Sequence, residues 1–130
     1  MQTLKTYLVE DSPLIRKGLV ATPEELAPVK VVGTAEDERT AVAWLSQPAN
    51  AVDLVIIDVF LKSGSGLGVL GSLRGLKLQA RLVVLTNYAT PDMRRKCLDL
   101  GADRVFDKSN DIETLIQYCN AAASPESVRP

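Results

Sequence analysis

Six side chains in this sequence could share one piece of chemistry, although they lie far apart along the chain. Glu10 and Asp11 follow one apolar run, Asp58 follows a second, Thr86 closes a third, and Asp107-Lys108 follows a fourth. One carboxylate at the end of an apolar run is ordinarily a helix cap or a solvated loop residue. The conjunction says more. Asp58 directly follows Leu54-Val55-Ile56-Ile57 and is therefore drawn toward the core and toward Asp11. Clustered anions there repel one another unless something cationic neutralises them. Lys108 supplies one positive charge, and a hard divalent cation with oxygen ligands would supply the rest. Mg2+ fits, because it is commonly held by one or two carboxylates together with phosphate and water.

Composition narrows the alternatives. The 130 residues contain no histidine, which excludes histidine bases, His-bearing triads, His-ligated metals and a phosphohistidine carrier. With 15 Lys+Arg against 16 Asp+Glu, the net charge of −1 argues against direct nucleic-acid binding. Cys97 and Cys119 form no CxxC and sit in apolar helical stretches, so they read as reduced thiols packed in the core. The first residues are too short and polar for a signal peptide, and no apolar run approaches the roughly 18 residues that span a bilayer. A soluble, cytoplasmic, single-domain protein is expected, with no membrane partner.

The elements that must position the six side chains are short apolar runs alternating with helix-period segments. Strands are expected over 4–9, 29–34, 53–58, 81–85 and 104–106. Helices are expected over 13–26, 36–46, 66–73 and 90–100, with a fifth from 110. Ser12-Pro13 and Thr90-Pro91 each read as an N-cap followed by proline at the first helical position. Gly101 reads as a helix stop, and Asn110 with Glu113 has capping-box spacing. Strict βα alternation implies an α/β fold, a doubly wound parallel sheet with helices on both faces. Ligands in such sheets bind beyond the carboxyl ends of the strands, where the six side chains fall. Gly66 to Gly71 is a literal GxGxxG, but it does not follow the first strand, so it does not read as a dinucleotide site. Arg94-Arg95-Lys96 reads as a solvated basic face or part of a docking surface.

Several motifs together resemble the receiver domain of two-component response regulators over about residues 4–121. They are Leu8-Val9-Glu10-Asp11-Ser12-Pro13, Ile56-Ile57-Asp58, Gly66, Val84-Leu85-Thr86, and Gly101-Ala102-Asp103 leading to Lys108. The resemblance implies a flavodoxin-like (βα)5 fold with strand order 2-1-3-4-5. It implies that Asp58 accepts a phosphoryl group from a phosphohistidine on a sensor kinase or histidine phosphotransfer protein. Asp11, Asp58 and the backbone carbonyl of Phe60 would ligate Mg2+, with Glu10 acting through a metal-bound water. Lys108 would pair with phosphoryl oxygens, and the Thr86 hydroxyl would report the attached group.

The sequence departs from the family pattern in ways that bear on output. Lys62 and Ser109 stand where proline is common, and Val105 stands where an aromatic switch is usual. Phe106 is one place further along and is expected on the opposite sheet face. Phe60 and Tyr88 occupy the two positions that, by the resemblance, flank the path of attacking water, and both are large enough to screen an acyl phosphate. Output to an unknown protein target, or homodimerisation, is expected through the face made by the fourth helix, fifth strand and fifth helix, with Tyr88 as a candidate reporter. A receiver over 1–123 is expected, followed by a polar tail over 124–130 and no output domain. The chain is expected to be a signalling switch rather than an enzyme with a dedicated substrate. The alternative is a degenerate receiver that binds partners without phosphorylation.

Overall fold

A computed structural model of the protein describes residues 3–12, 29–76 and 78–123. Five parallel strands form one sheet: β1 (Leu4–Val9), β2 (Val29–Ala35), β3 (Leu54–Ile57), β4 (Arg81–Thr86) and β5 (Arg104–Asp107), in spatial order β2-β1-β3-β4-β5. This is the doubly wound, flavodoxin-like arrangement with the expected strand order 2-1-3-4-5. The helices among the described residues are α1 (Glu38–Leu45), α2 (Gly66–Arg74), α3 (Pro91–Asp99) and α4 (Ile112–Ala123). The helix expected over 13–26, with its Ser12-Pro13 start, and the tail from 124 lie outside the described residues.

The central strand β3 is buried along its whole length because each face meets a separate core. Val55 and Ile57 pack with Tyr7, Val84 and Val105 against Ala41, Leu70 and Cys97 of α1, α2 and α3. Leu54 and Ile56 pack with Leu8, Leu85 and Phe106 against Leu115 and Cys119 of α4. The two cysteines therefore lie on opposite sides of the sheet, both free and buried, and burial pushes both thiols up, Cys119 to about 11. Among the described residues no helix is long and apolar enough to cross a membrane.

Local chemistry sets the helix ends. Thr90 caps α3 by accepting the Met93 N–H at 3.2 Å, with Pro91 following, and Gly101 takes the left-handed φ of 107° just past the helix. The helix expected from 36 begins two residues later, because extended Asp37 caps it by accepting the Thr40 N–H at 2.7 Å. The helix expected from 110 begins at Ile112. Side chains hold the preceding turn in a non-helical form: Asp107 Oδ1 accepts the Ser109 N–H at 2.7 Å and Asp111 Oδ2 accepts the Asp107 N–H at 2.9 Å.

One core residue carries a penalty. Tyr7 is fully buried and stacked on Trp44 with ring centroids 4.2 Å apart. Its edge fills the space over Gly33, where the β1–β2 register shifts. The Tyr7 hydroxyl has no hydrogen-bond partner, and burial followed by the charge of Asp37 pushes its pKa up to about 12. An unsatisfied buried hydroxyl is destabilising. Tyr7→Phe is expected to raise unfolding stability by about 1 kcal/mol, measured by urea titration.

Candidate functional site

The sheet itself brings the candidate residues together. Val9 pairs with Ile57, and the Asp58 N–H donates to the Val9 carbonyl at 2.9 Å, extending the β1–β3 ladder by one residue. On the other side of β1 the Glu10 N–H donates to the Ala35 carbonyl at 2.8 Å. The Lys108 N–H donates to the Thr86 carbonyl at 3.0 Å, continuing β4–β5. All five strand ends are thus joined by backbone bonds, with Glu10 and Asp11 just beyond β1, Asp58 beyond β3 and Lys108 beyond β5. Gly66 has a separate reason to be glycine. A Cβ there would fall 2.2 Å from the carbonyl oxygen of Asp58, so only glycine lets α2 start against the Asp58 backbone.

Glu10, Asp11 and Asp58 each offer an oxygen within 4.8 Å of the others. Glu10 is only 1% exposed and Asp58 8%, so their charges are largely removed from water. Lys108 answers them: its Nζ lies 3.0 Å from Asp58 Oδ2 and also hydrogen-bonds Glu10 Oε1. Burial alone would lower the Lys108 pKa, but the hydrogen bond to Glu10 and the charge of Asp58 outweigh it and hold the ammonium above the usual lysine value. Burial, then the hydrogen bond and charge of Glu10, raise the Asp11 carboxyl above the usual aspartate range despite Lys108. The group as a whole carries three carboxylates against one ammonium. An all-oxygen donor set with surplus negative charge fits a hard divalent cation. A cleft of about 130 Å³ opens here, lined in part by Asp11, Asp58, Asn87 and Lys108. A larger depression of about 320 Å³ lies at the opposite end of the strands, between Leu45, Val52, Leu76 and Ala80, and no ionisable side chain lines it among the described residues.

The remaining candidates fall around this cleft. Thr86 is fully buried, and its Oγ1 accepts the Tyr88 N–H at 3.2 Å. Phe60 and Tyr88 form an edge-on pair at the rim, centroids 4.8 Å apart, and are 51% and 59% exposed. The Phe60 N–H points back to Asp58 Oδ1 at 3.4 Å. Val105 lies on the α1–α3 face, whereas Phe106 is locked in the opposite core, edge-on to Tyr118. Asn87 and Ser12 also line the cleft, although no motif drew attention to Asn87. The basic run on α3 divides. Arg95 pairs with Asp92 on the exposed surface, but Arg94 turns inward to donate to the Ala89 and Val105 carbonyls at 3.0 and 2.9 Å and to pair with Asp111. Arg94, its side chain half-buried, therefore ties the loop after Thr86 to β5.

Comparison with known proteins agrees with this geometry. The family model described as response regulator receiver domain matches residues 6–120. A nitrate/nitrite response regulator protein homolog of Haemophilus influenzae is 30% identical over 127 residues, covering 96% of this chain and 59% of that protein. The nitrate/nitrite response regulator NarP of Escherichia coli is 29% identical over 124 residues, covering 95% of this chain and 57% of that protein. The crystal structure of a LuxR-family two-component response regulator from Aurantimonas sp. superimposes with a TM-score of 0.84 at 25% identity, over 97% of this chain and 93% of that one. The chain belongs to the response regulator receiver domain family of two-component systems. It spans under three fifths of the length of the two curated regulators, as the 59% and 57% coverages state.

The raised Asp11 pKa has a consequence for stability. A carboxyl held higher in the folded state than in the unfolded state costs stability once both are ionised, and the cost sets in as pH rises through the ordinary aspartate value near 3.9. Asp11→Asn is therefore expected to raise the urea midpoint of the protein in chelator at pH 7, with the gain vanishing below about pH 3.9.

Proposed function

We propose that this chain is a phosphoacceptor switch, in which Asp58 takes a phosphoryl group from a partner's phosphohistidine. The observation that carries the reading is the reach of Lys108 from the end of β5 to Asp58 at the end of β3, beside Glu10 and Asp11. An oxygen of the Asp58 carboxylate attacks phosphorus in line. The P–N bond to the partner imidazole breaks, its electron pair stays on that nitrogen, and an acyl phosphate forms on Asp58. Lys108, already within hydrogen-bond distance of Asp58, pairs with a phosphoryl oxygen. The Thr86 hydroxyl turns to hydrogen-bond the attached group and loosens its hold on the Tyr88 N–H. Mg2+, held by Asp11, Asp58 and the Phe60 carbonyl with Glu10 acting through water, would offset charge on the transferring group.

The donor is a sensor histidine kinase or histidine phosphotransfer protein, which supplies the histidine this sequence lacks. The chain works in the cytoplasm and turns over no dedicated substrate. Output passes to a protein target through α3, β5 and α4, the face tied together by Arg94.

Incubation with acetyl phosphate and Mg2+ is expected to add one phosphoryl mass to the intact protein, mapped to Asp58 and absent in Asp58→Ala. An unmodified wild-type protein would favour the phosphorylation-independent binding module instead. The rim pair predicts slow hydrolysis: Phe60→Asn and Tyr88→Ala should each shorten the acyl-phosphate lifetime severalfold in a chase followed by mass spectrometry. Wild-type decay in both variants would remove the shielding role.

A further inference from the structure

The GxGxxG of Gly66 to Gly71 opens α2, where free backbone N–H groups ordinarily attract an anion. Here the anion belongs to the protein. Glu38, the first residue of α1, crosses to this end of α2. Its Oε1 accepts the Ser65 N–H at 3.0 Å, and its own N–H donates to the Ser63 carbonyl at 3.1 Å. Two glycines make the room. A Cβ on Gly68 would fall 2.2 Å from Glu38 Oε1. One on Gly64, whose φ of +79° already favours glycine, would fall 2.5 Å from the Glu38 Cβ.

Ser65 carries this contact into the site. Its Oγ donates to the Val59 carbonyl at 3.3 Å while accepting the Leu67 N–H at 3.0 Å. Its backbone bridges Phe60, and the Gly66 N–H donates to the same Val59 carbonyl at 2.8 Å. A continuous set of bonds therefore runs from the Glu38 carboxylate through Ser65 to Val59 and Phe60, the two residues that follow Asp58.

We propose that Glu38 is a positioning residue of the phosphoacceptor site: its carboxylate fills the glycine-lined start of α2 in place of an external anion and fixes the 59–65 loop that presents Phe60 beside Asp58. The inference rests on the phosphoacceptor reading above. It also gives the glycine motif a role, since a Cβ at Gly68 would displace the Glu38 carboxylate.

The test compares Glu38→Ala, Glu38→Gln, Gly68→Ala and the Glu38→Ala/Gly68→Ala pair. Amide exchange of the metal-free proteins is read by mass spectrometry, and the Mg2+ Kd by calorimetry. Glu38→Ala is expected to raise exchange severalfold in 59–66 while β1 and β3 stay protected, and to weaken Mg2+ by roughly tenfold, as loss of a group that orients a ligand does. Glu38→Gln keeps the acceptor oxygen and should stay close to wild type. Gly68→Ala should reproduce Glu38→Ala alone and add nothing to it in the pair. Unchanged exchange in 59–66, a uniform rise along the whole chain, or additive effects of Glu38→Ala and Gly68→Ala overturn the proposal. Wild-type Mg2+ affinity in Glu38→Ala overturns its link to the site. Absence of Mg2+ binding by the wild-type protein would instead strike the phosphoacceptor reading, while the exchange measurement still decides whether Glu38 holds the loop.

Discussion

Everything at the functional end of this molecule depends on one ammonium group. Lys108, at the end of β5, sits between Asp58 of the β3 end and Glu10 of the β1 end, and it is the cation that lets two carboxylates remain so nearly out of water. Unpaired, such charges would each cost several kcal/mol. The pairing spans 98 residues of sequence to Glu10 and 50 to Asp58, so it exists only when β1, β3, β4 and β5 have come together. Function and folding are joined at this point. The site is assembled by strand order rather than by any local segment.

The balance is deliberately incomplete, with three carboxylates to one ammonium. A fully neutral cluster would have no electrostatic reason to take up a cation. The surplus falls on Asp11, whose carboxyl is raised by burial first and then by the hydrogen bond and charge of Glu10. Around this charged group the protein is buried below and open above. Backbone bonds carry the β ladders one residue past their ends, and Gly66 lets α2 begin against the Asp58 carbonyl. Phe60 and Tyr88 stand at the rim, the two large apolar side chains placed where solvent would approach.

Much of this could be read from sequence because it depends on short-range regularities. Leu54 to Ile57 is an uninterrupted apolar run, so a central strand with Asp58 at its end follows from burial alone. Thr90-Pro91 and Gly101 marked the ends of α3 because caps are local. The opposite facing of Val105 and Phe106 follows from the two-residue repeat of a strand. What escaped is what depends on distant elements meeting. Glu38 is an ordinary exposed-looking helix residue until α1 and α2 pack and bring it to Ser65, 27 positions away. Arg94 looks like one charge in a basic run until β5 and the turn before α4 present it with the Val105 carbonyl and Asp111. The start of α4 moved because Asp107 and Asp111 spent their carboxylates on the turn, a competition that spacing alone does not resolve. The orphan hydroxyl of Tyr7 likewise depends on what surrounds it.

The central claim is that three carboxylates and one lysine form a single site built to take up a cation. Calorimetric titration of the full chain with Mg2+ tests it most directly. The account predicts binding to one site in the wild-type protein and its loss in Asp58→Asn, with the fold of the variant intact by circular dichroism. No binding by the wild-type protein, or equal binding by Asp58→Asn, would contradict it.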